Sequence, residues 1–195
     1  MAGTVNTKLD MANLALSHLK EPAIQDFDFS GVASRWFRNN YAAKLDAYLA
    51  MHDWDFAMAL DNLGADTRAP VFRWKYQYSL PSQCLRLPVQ TETGDRNGRR
   101  VKFEVIGSKL MTDCPPPFRL RFVGRIATEA QFPPLFVHGF SCFLAAGLAH
   151  VLTGKNSPAQ TMQQEAENAL DVASTVDAQQ GEPEPMEPSE IIDCR

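Results

Sequence analysis

Phe132-Pro133-Pro134, followed by LFVHGFSCFLAAGLAHVL over residues 135–152, is the stretch on which the reading of this chain turns. From Leu135 to Leu152 it runs 18 residues without a charge, close to the ~18 apolar residues that make a membrane-spanning candidate. His138, Ser141 and His150 interrupt it, its longest strictly nonpolar run is Cys142 to Ala149, and no Lys/Arg cluster flanks it to set a topology. The stretch therefore predicts a buried core helix over 133–153 and no membrane. Proline suits its first turn and Gly154 its C-terminal stop. A helix apolar on all sides needs cover from more than its own chain, which places Ala146 and Ala149 at an expected subunit contact.

Upstream, Leu9, Ala12, Leu16 and Leu19 recur at helical spacing and predict a first helix over 6–20, stopped by Glu21-Pro22. Ser30 is the expected N-cap of a second helix over 31–52, with Val32, Trp36, Phe37, Tyr41, Leu45, Tyr48 and Leu49 on one side. Downstream, Ser157-Pro158-Ala159-Gln160 has the pattern of a capping box. It predicts a fourth helix over 158–177, with Met162, Ala166, Ala169, Ala173 and Val176 as its stripe.

Between the second and third helices the period changes. Val71–Tyr78, Leu85–Thr91 and the alternation of Val101, Phe103 and Val105 read as strands, Gly107-Ser108 as a tight turn, and Arg119–Arg125 as a strand resuming after Pro115-Pro116-Pro117. The expected fold is α+β: about four helices forming a bundle, with a small, mostly antiparallel β region inserted at 70–126. Residues 1–178 read as a single domain. Residues 179–195, with three prolines, five acids and one apolar pair, Ile191-Ile192, read as a disordered acidic tail that orders on a partner through those two isoleucines.

The net charge of −4 hides an uneven layout, since residues 68–125 hold twelve of the 19 Lys and Arg residues and four acids, a local +8. Residues 165–195 carry nine acids against Arg195. Such a layout suits docking between copies or onto charged partners. The basic loop Arg96, Arg99, Arg100 and Lys102, near aromatics at 72–78, is the expected contact surface for phosphates or a neighbouring subunit.

Chemistry finds little purchase. Cys84, Cys114, Cys142 and Cys194 form no CxxC, the four histidines form no HExxH, and the glycines form no phosphate loop, so no catalytic residue, metal or cofactor is expected. Asp53 and Asp55 around Trp54 read as a helix end. MAGTVNTKLD lacks the basic and apolar regions of a signal peptide, so a cytoplasmic setting with free thiols is expected.

The order of segments resembles the phage head-to-tail adaptor (connector) family, to which tail tubular protein A of short-tailed phages belongs. The matching pieces are Ala12-Asn13-Leu14-Ala15-Leu16 with Glu21-Pro22, then Trp54-Asp55-Phe56-Ala57, Tyr76-Gln77-Tyr78-Ser79-Leu80-Pro81 and Cys84-Leu85-Arg86. Arg119–Arg125 leading to Glu129 and Phe132-Pro133-Pro134, the small-residue helix and the Gln/Glu-rich last helix complete the series, over about residues 6–178. The resemblance implies a non-enzymatic virion protein at the head-tail junction. It implies a ring, dodecameric in relatives, between the portal protein and a tail or nozzle protein, with DNA passing through the lumen without sequence specificity. Assembly would take place in the host cytoplasm. The alternative is a cytoplasmic nucleic-acid-binding protein using the basic β region.

Overall fold

The computed structural model describes residues 7–28, 30–94, 98–154 and 156–179. Four helices, α1 (Lys8–His18), α2 (Val32–Leu49), α3 (Pro134–Thr153) and α4 (Asn156–Gln179), accompany six short strands. These are β1 (Met58–Leu63), β2 (Tyr76–Ser79), β3 (Cys84–Arg86), β4 (Phe103–Ile106), β5 (Lys109–Thr112) and β6 (Phe118–Gly124), in two three-stranded sheets of order β1-β6-β3 and β2-β5-β4. The class is α+β. Two compact units divide the chain: a helical unit with residues up to Ala59, Gln83–Arg86 and Val123–Ala178, and a β unit with Leu60–Ser82 and Leu87–Phe122.

In the helical unit α3 is the central element, packed against α1 and α2. It is the one described helix long and apolar enough to cross a membrane by length and composition, and half of that window is buried within the chain. Phe136, Phe140, Leu144 and Leu148 join Met11, Ala12, Ala15 and Leu16 of α1, Phe37, Tyr41, Leu45, Tyr48 and Leu49 of α2, and Trp54 in one core. Aromatic edges and faces dominate it: Phe136 lies 4.8–5.1 Å from the rings of Phe132, Phe56, Tyr48 and Trp54.

Helix ends depart from expectation in instructive ways. α1 starts with a capping box in which Thr7 and Asp10 bond each other's backbone amides. It stops at His18, two residues short of the expected end at 20, because Lys20 takes a left-handed φ of 60° while the Lys20 and Glu21 amides donate to Ser17 and Leu16, a Schellman closure built without glycine. Asn13 then holds the connector by both amide groups, accepting from the Ile24 amide at 2.8 Å and donating to its carbonyl at 3.0 Å. α2 is preceded by Gly31, not Ser30, and no side chain caps it. Val32 is exposed, and Ser34 takes the buried place, donating to the Asp26 carbonyl. α4 begins at Asn156, so Ser157 lies inside the helix and the expected capping box does not form. Val176 is likewise off the buried stripe, which runs through Ala166 and Ala173.

The β region begins with β1 at Met58, ahead of the expected 70, while two of the expected strands are shorter than the sequence suggests. Residues 71–73 form an exposed bend with Arg73 at φ 55°, and only Tyr76–Ser79 pair, antiparallel to β5. Residues 87–91 are not a strand either, apart from an isolated bridge between Thr91 and Arg100. Gly107-Ser108 is the two-residue loop of the β4–β5 hairpin, and Gly107 has the φ of 62° that such a loop favours. Tyr78, Leu110, Phe118, Leu120 and Phe122 form the buried interior, and the Tyr78 hydroxyl donates to the Cys114 carbonyl. Gln90 is buried because its side-chain amide brackets Arg121, donating to the carbonyl and accepting from the amide.

Asp66 is the polar hub of this unit. It accepts from Gln77, Ser79 and Lys109 at 2.7–2.9 Å. These donors, Gln77 foremost, hold its carboxyl at about 2, below the ordinary 3.8. Because the folded value is depressed, the stabilisation is complete above about pH 4 and is lost as pH falls through about 2. Asp66→Asn is expected to lower stability by about 1 kcal/mol at pH 7. It should also flatten the pH dependence of urea denaturation between pH 4 and 2; an unchanged profile would show the hub to be solvated.

Candidate functional site

The residues singled out for assembly fall in different environments. Ala149 is wholly buried inside its own chain, so it presents nothing to a neighbour: the cover expected from a second subunit comes from within the chain at this position. Ala146 is half-buried and lines a surface groove of about 520 Å³ with Lys44, Gly147, Asn156, Gln160 and Gln164, so of the two it alone reaches a surface. Gly147 lets Trp36 of α2 approach α3 closely, since a Cβ there would lie 2.9 Å from the Trp36 ring.

In the β unit, Arg99 is largely exposed and lies 3.6 Å from Glu92, Lys102 is exposed, and Arg100 pairs with Thr91 through the backbone bridge. Arg96 lies outside the described residues, as do residues 180–195 with Ile191 and Ile192, whereas Gln179, expected in the tail, ends α4. An apolar element that the sequence reading assigned to a strand stands in the open: Val71 and Phe72 are 69% and 81% exposed, beside Arg73, whose guanidinium lies over the Trp74 ring.

The pieces that carry the family resemblance hold the fold together. Asn13 fixes the connector, Trp54 is buried among Tyr48, His52, Phe56 and Phe136, and Tyr78 anchors the β interior. Arg86 closes the C-terminus of α2 by donating to the Ala50 and Met51 carbonyls while its Nε bonds Asp53 at 2.6 Å. Arg125 grips Asp46 with a two-pronged contact. α2 ends at Leu49, so Asp53 lies past the helix end and Asp55 opens a short 3-10 helix, Asp55–Ala57; Asp177 of α4 accepts from the Asp55 amide and lies 3.5 Å from His52.

One constellation is invisible in the linear spacing. His18, the last residue of α1, faces His138 and Cys142, which lie one helical turn apart on α3. One ligating atom from each lies within 4.8 Å of the others, and the His18 Nε2 to Cys142 Sγ distance is 3.7 Å. Ser141 Oγ donates to the His138 carbonyl at 2.7 Å, so its contact with His18 Nε2 at 3.0 Å is an N–H donated by the ring. Burial, and then the His138 ring, lower the His18 pKa against the pull of Glu165. Burial, then Glu165, push the Cys142 thiol up. Cys142 is buried, His18 half-buried and His138 exposed, at the edge of a cavity of about 300 Å³ that Glu165, Asn168 and Ala169 of α4 also line.

Compared with known proteins, the chain matches no family model and no curated protein.

Proposed function

We propose that this chain is a structural head-to-tail adaptor of a phage virion, a subunit of a ring that joins the portal to the tail and lets DNA pass through its lumen. The observation that carries the reading is the ordered series of motifs from Ala12 to the last helix. It lies on a chain whose β unit is inserted between α2 and α3. In this reading the four helices act as a bundle that gives the ring its wall, and the β unit, with its local +8 charge, meets a charged neighbour or the DNA backbone. The acidic segment beyond α4 is the arm, with Ile191 and Ile192 anchoring it to the portal or an adjacent subunit and its acids steering the approach. The protein is no enzyme, and its places are the host cytoplasm during assembly and then the virion's head-tail junction.

Mixing the full chain with the portal protein of the same virus tests this by co-sedimentation. The expected result is a stoichiometric, ring-sized complex, with truncation after Ala178 weakening attachment while the fold survives. Monomers that ignore the portal and bind free duplex DNA with a steep loss of affinity between about 50 and 200 mM salt would favour the nucleic-acid-binding reading instead.

A further inference from the structure

We propose that His18, His138 and Cys142 form a zinc site that ties the C-terminal end of α1 to the middle of α3, with Glu165 of α4 at the fourth position, directly or through a water. The proposal stands apart from the adaptor reading and does not depend on it.

Geometry carries it. With Zn–N near 2.0–2.1 Å and Zn–S near 2.3 Å, a tetrahedral ion needs ligand-to-ligand edges of about 3.3 Å (N to N) and about 3.6 Å (N to S). The His18 Nε2 to Cys142 Sγ distance of 3.7 Å is already such an edge. The separations that involve His138, 4.8 Å at most, would close by rotation of its exposed ring. The His18 and His138 ring centroids lie 6.0 Å apart, near the separation that two imidazoles on one tetrahedral ion would have. Two of the three ligands come from one helix four residues apart, the spacing at which two side chains share a face. The third arrives from an element already packed against that face.

The donor set chooses the metal. Two imidazoles and one thiolate are borderline-to-soft ligands that favour zinc and disfavour magnesium or calcium, which want oxygen. The cavity beside His138 leaves one side open, and Glu165 on its wall supplies a carboxylate that offsets the positive charge left after a single thiolate binds. Loading is balanced as follows: Zn²⁺ bonds Cys142 Sγ, whose proton leaves to solvent, and bonds His18 Nε2, whose proton passes to Nδ1 and frees Ser141 Oγ.

The full chain, purified without an affinity tag and stripped with a chelator, is titrated with Zn²⁺ by calorimetry and with Co²⁺ by absorption. One ion per chain is expected, with a thiolate-to-cobalt band in the near ultraviolet, tetrahedral visible bands and a melting temperature that rises with zinc. His138→Ala, at an exposed position where folding is not at stake, should weaken zinc at least tenfold. Cys142→Ser should abolish the thiolate band. Absence of stoichiometric binding, or a wild-type isotherm in His138→Ala together with no thiolate band in the unsubstituted chain, would overturn the site.

Discussion

Phe136→Ala is expected to lose about 3–5 kcal/mol of unfolding free energy, whereas Leu135→Ala, one residue away, should lose less than about 1 kcal/mol. The two side chains have similar hydrophobicity and share a helix, but Phe136 is 1% exposed and Leu135 39%. Five aromatic rings surround Phe136: Tyr48, Trp54, Phe56, Phe132 and Phe140. Removing the ring opens a cavity that these flat, mutually packed neighbours cannot fill by collapsing. Since a domain has only about 5–15 kcal/mol in hand, the variant should be on the verge of unfolding at 37 °C. Urea denaturation followed by tryptophan fluorescence reads this directly, because Trp54 is one of the five. Equal losses in the two variants would mean that α3 is not seated as described.

Gly139→Ala should cost about 3 kcal/mol, although alanine is normally the better helix former by about 1 kcal/mol. A Cβ at this position would lie 2.1 Å from the Tyr48 hydroxyl oxygen and 3.3 Å from the Ala169 Cβ. Tyr48 cannot retreat, since its ring is packed against Phe136, Phe140, Phe143 and Trp54. Its hydroxyl is buried with no hydrogen-bond partner among the described residues, and burial pushes its pKa far above the usual phenol value. Tyr48→Phe alone is therefore expected to be neutral or slightly stabilising, because it removes a desolvated, unpaired group. Combined with Gly139→Ala it should recover about 1–2 kcal/mol, a coupling that only contacting residues show. Strict additivity in this double-mutant cycle would contradict the close approach of α2 and α3 at Gly139.

The period of hydrophobicity made the four helices legible, because each stripe is long enough for 3.6-residue spacing to repeat several times. The termini were harder to read. Ser30 and Ser157 have the chemistry of caps, yet Gly31 and Asn156 set the boundaries, while Lys20 takes a left-handed turn that sequence conventions reserve for glycine. Strands of three or four residues repeat a two-residue period only once or twice. Thus Val71 and Phe72 look like strand residues but stand in solvent, while Lys109–Thr112 pairs on both sides without announcing itself. Ala149 shows the limit of reading an uncharged helix: apolarity demands cover, but not from which chain it comes. His18 lies 120 residues from His138, so no spacing rule unites them; the i, i+4 pair His138 and Cys142 was the only local hint of the cluster.

Electron microscopy of the capsid vertex with this protein added to portal-bearing, tailless heads tests the adaptor reading most directly. An added ring is expected beneath the portal, coaxial with it and with an open lumen, whose subunit density accommodates the helical unit, and which is reduced in occupancy when the chain ends at Ala178. Heads indistinguishable from those without the protein, while the same preparation is folded and saturates free DNA as a monomer, would contradict it.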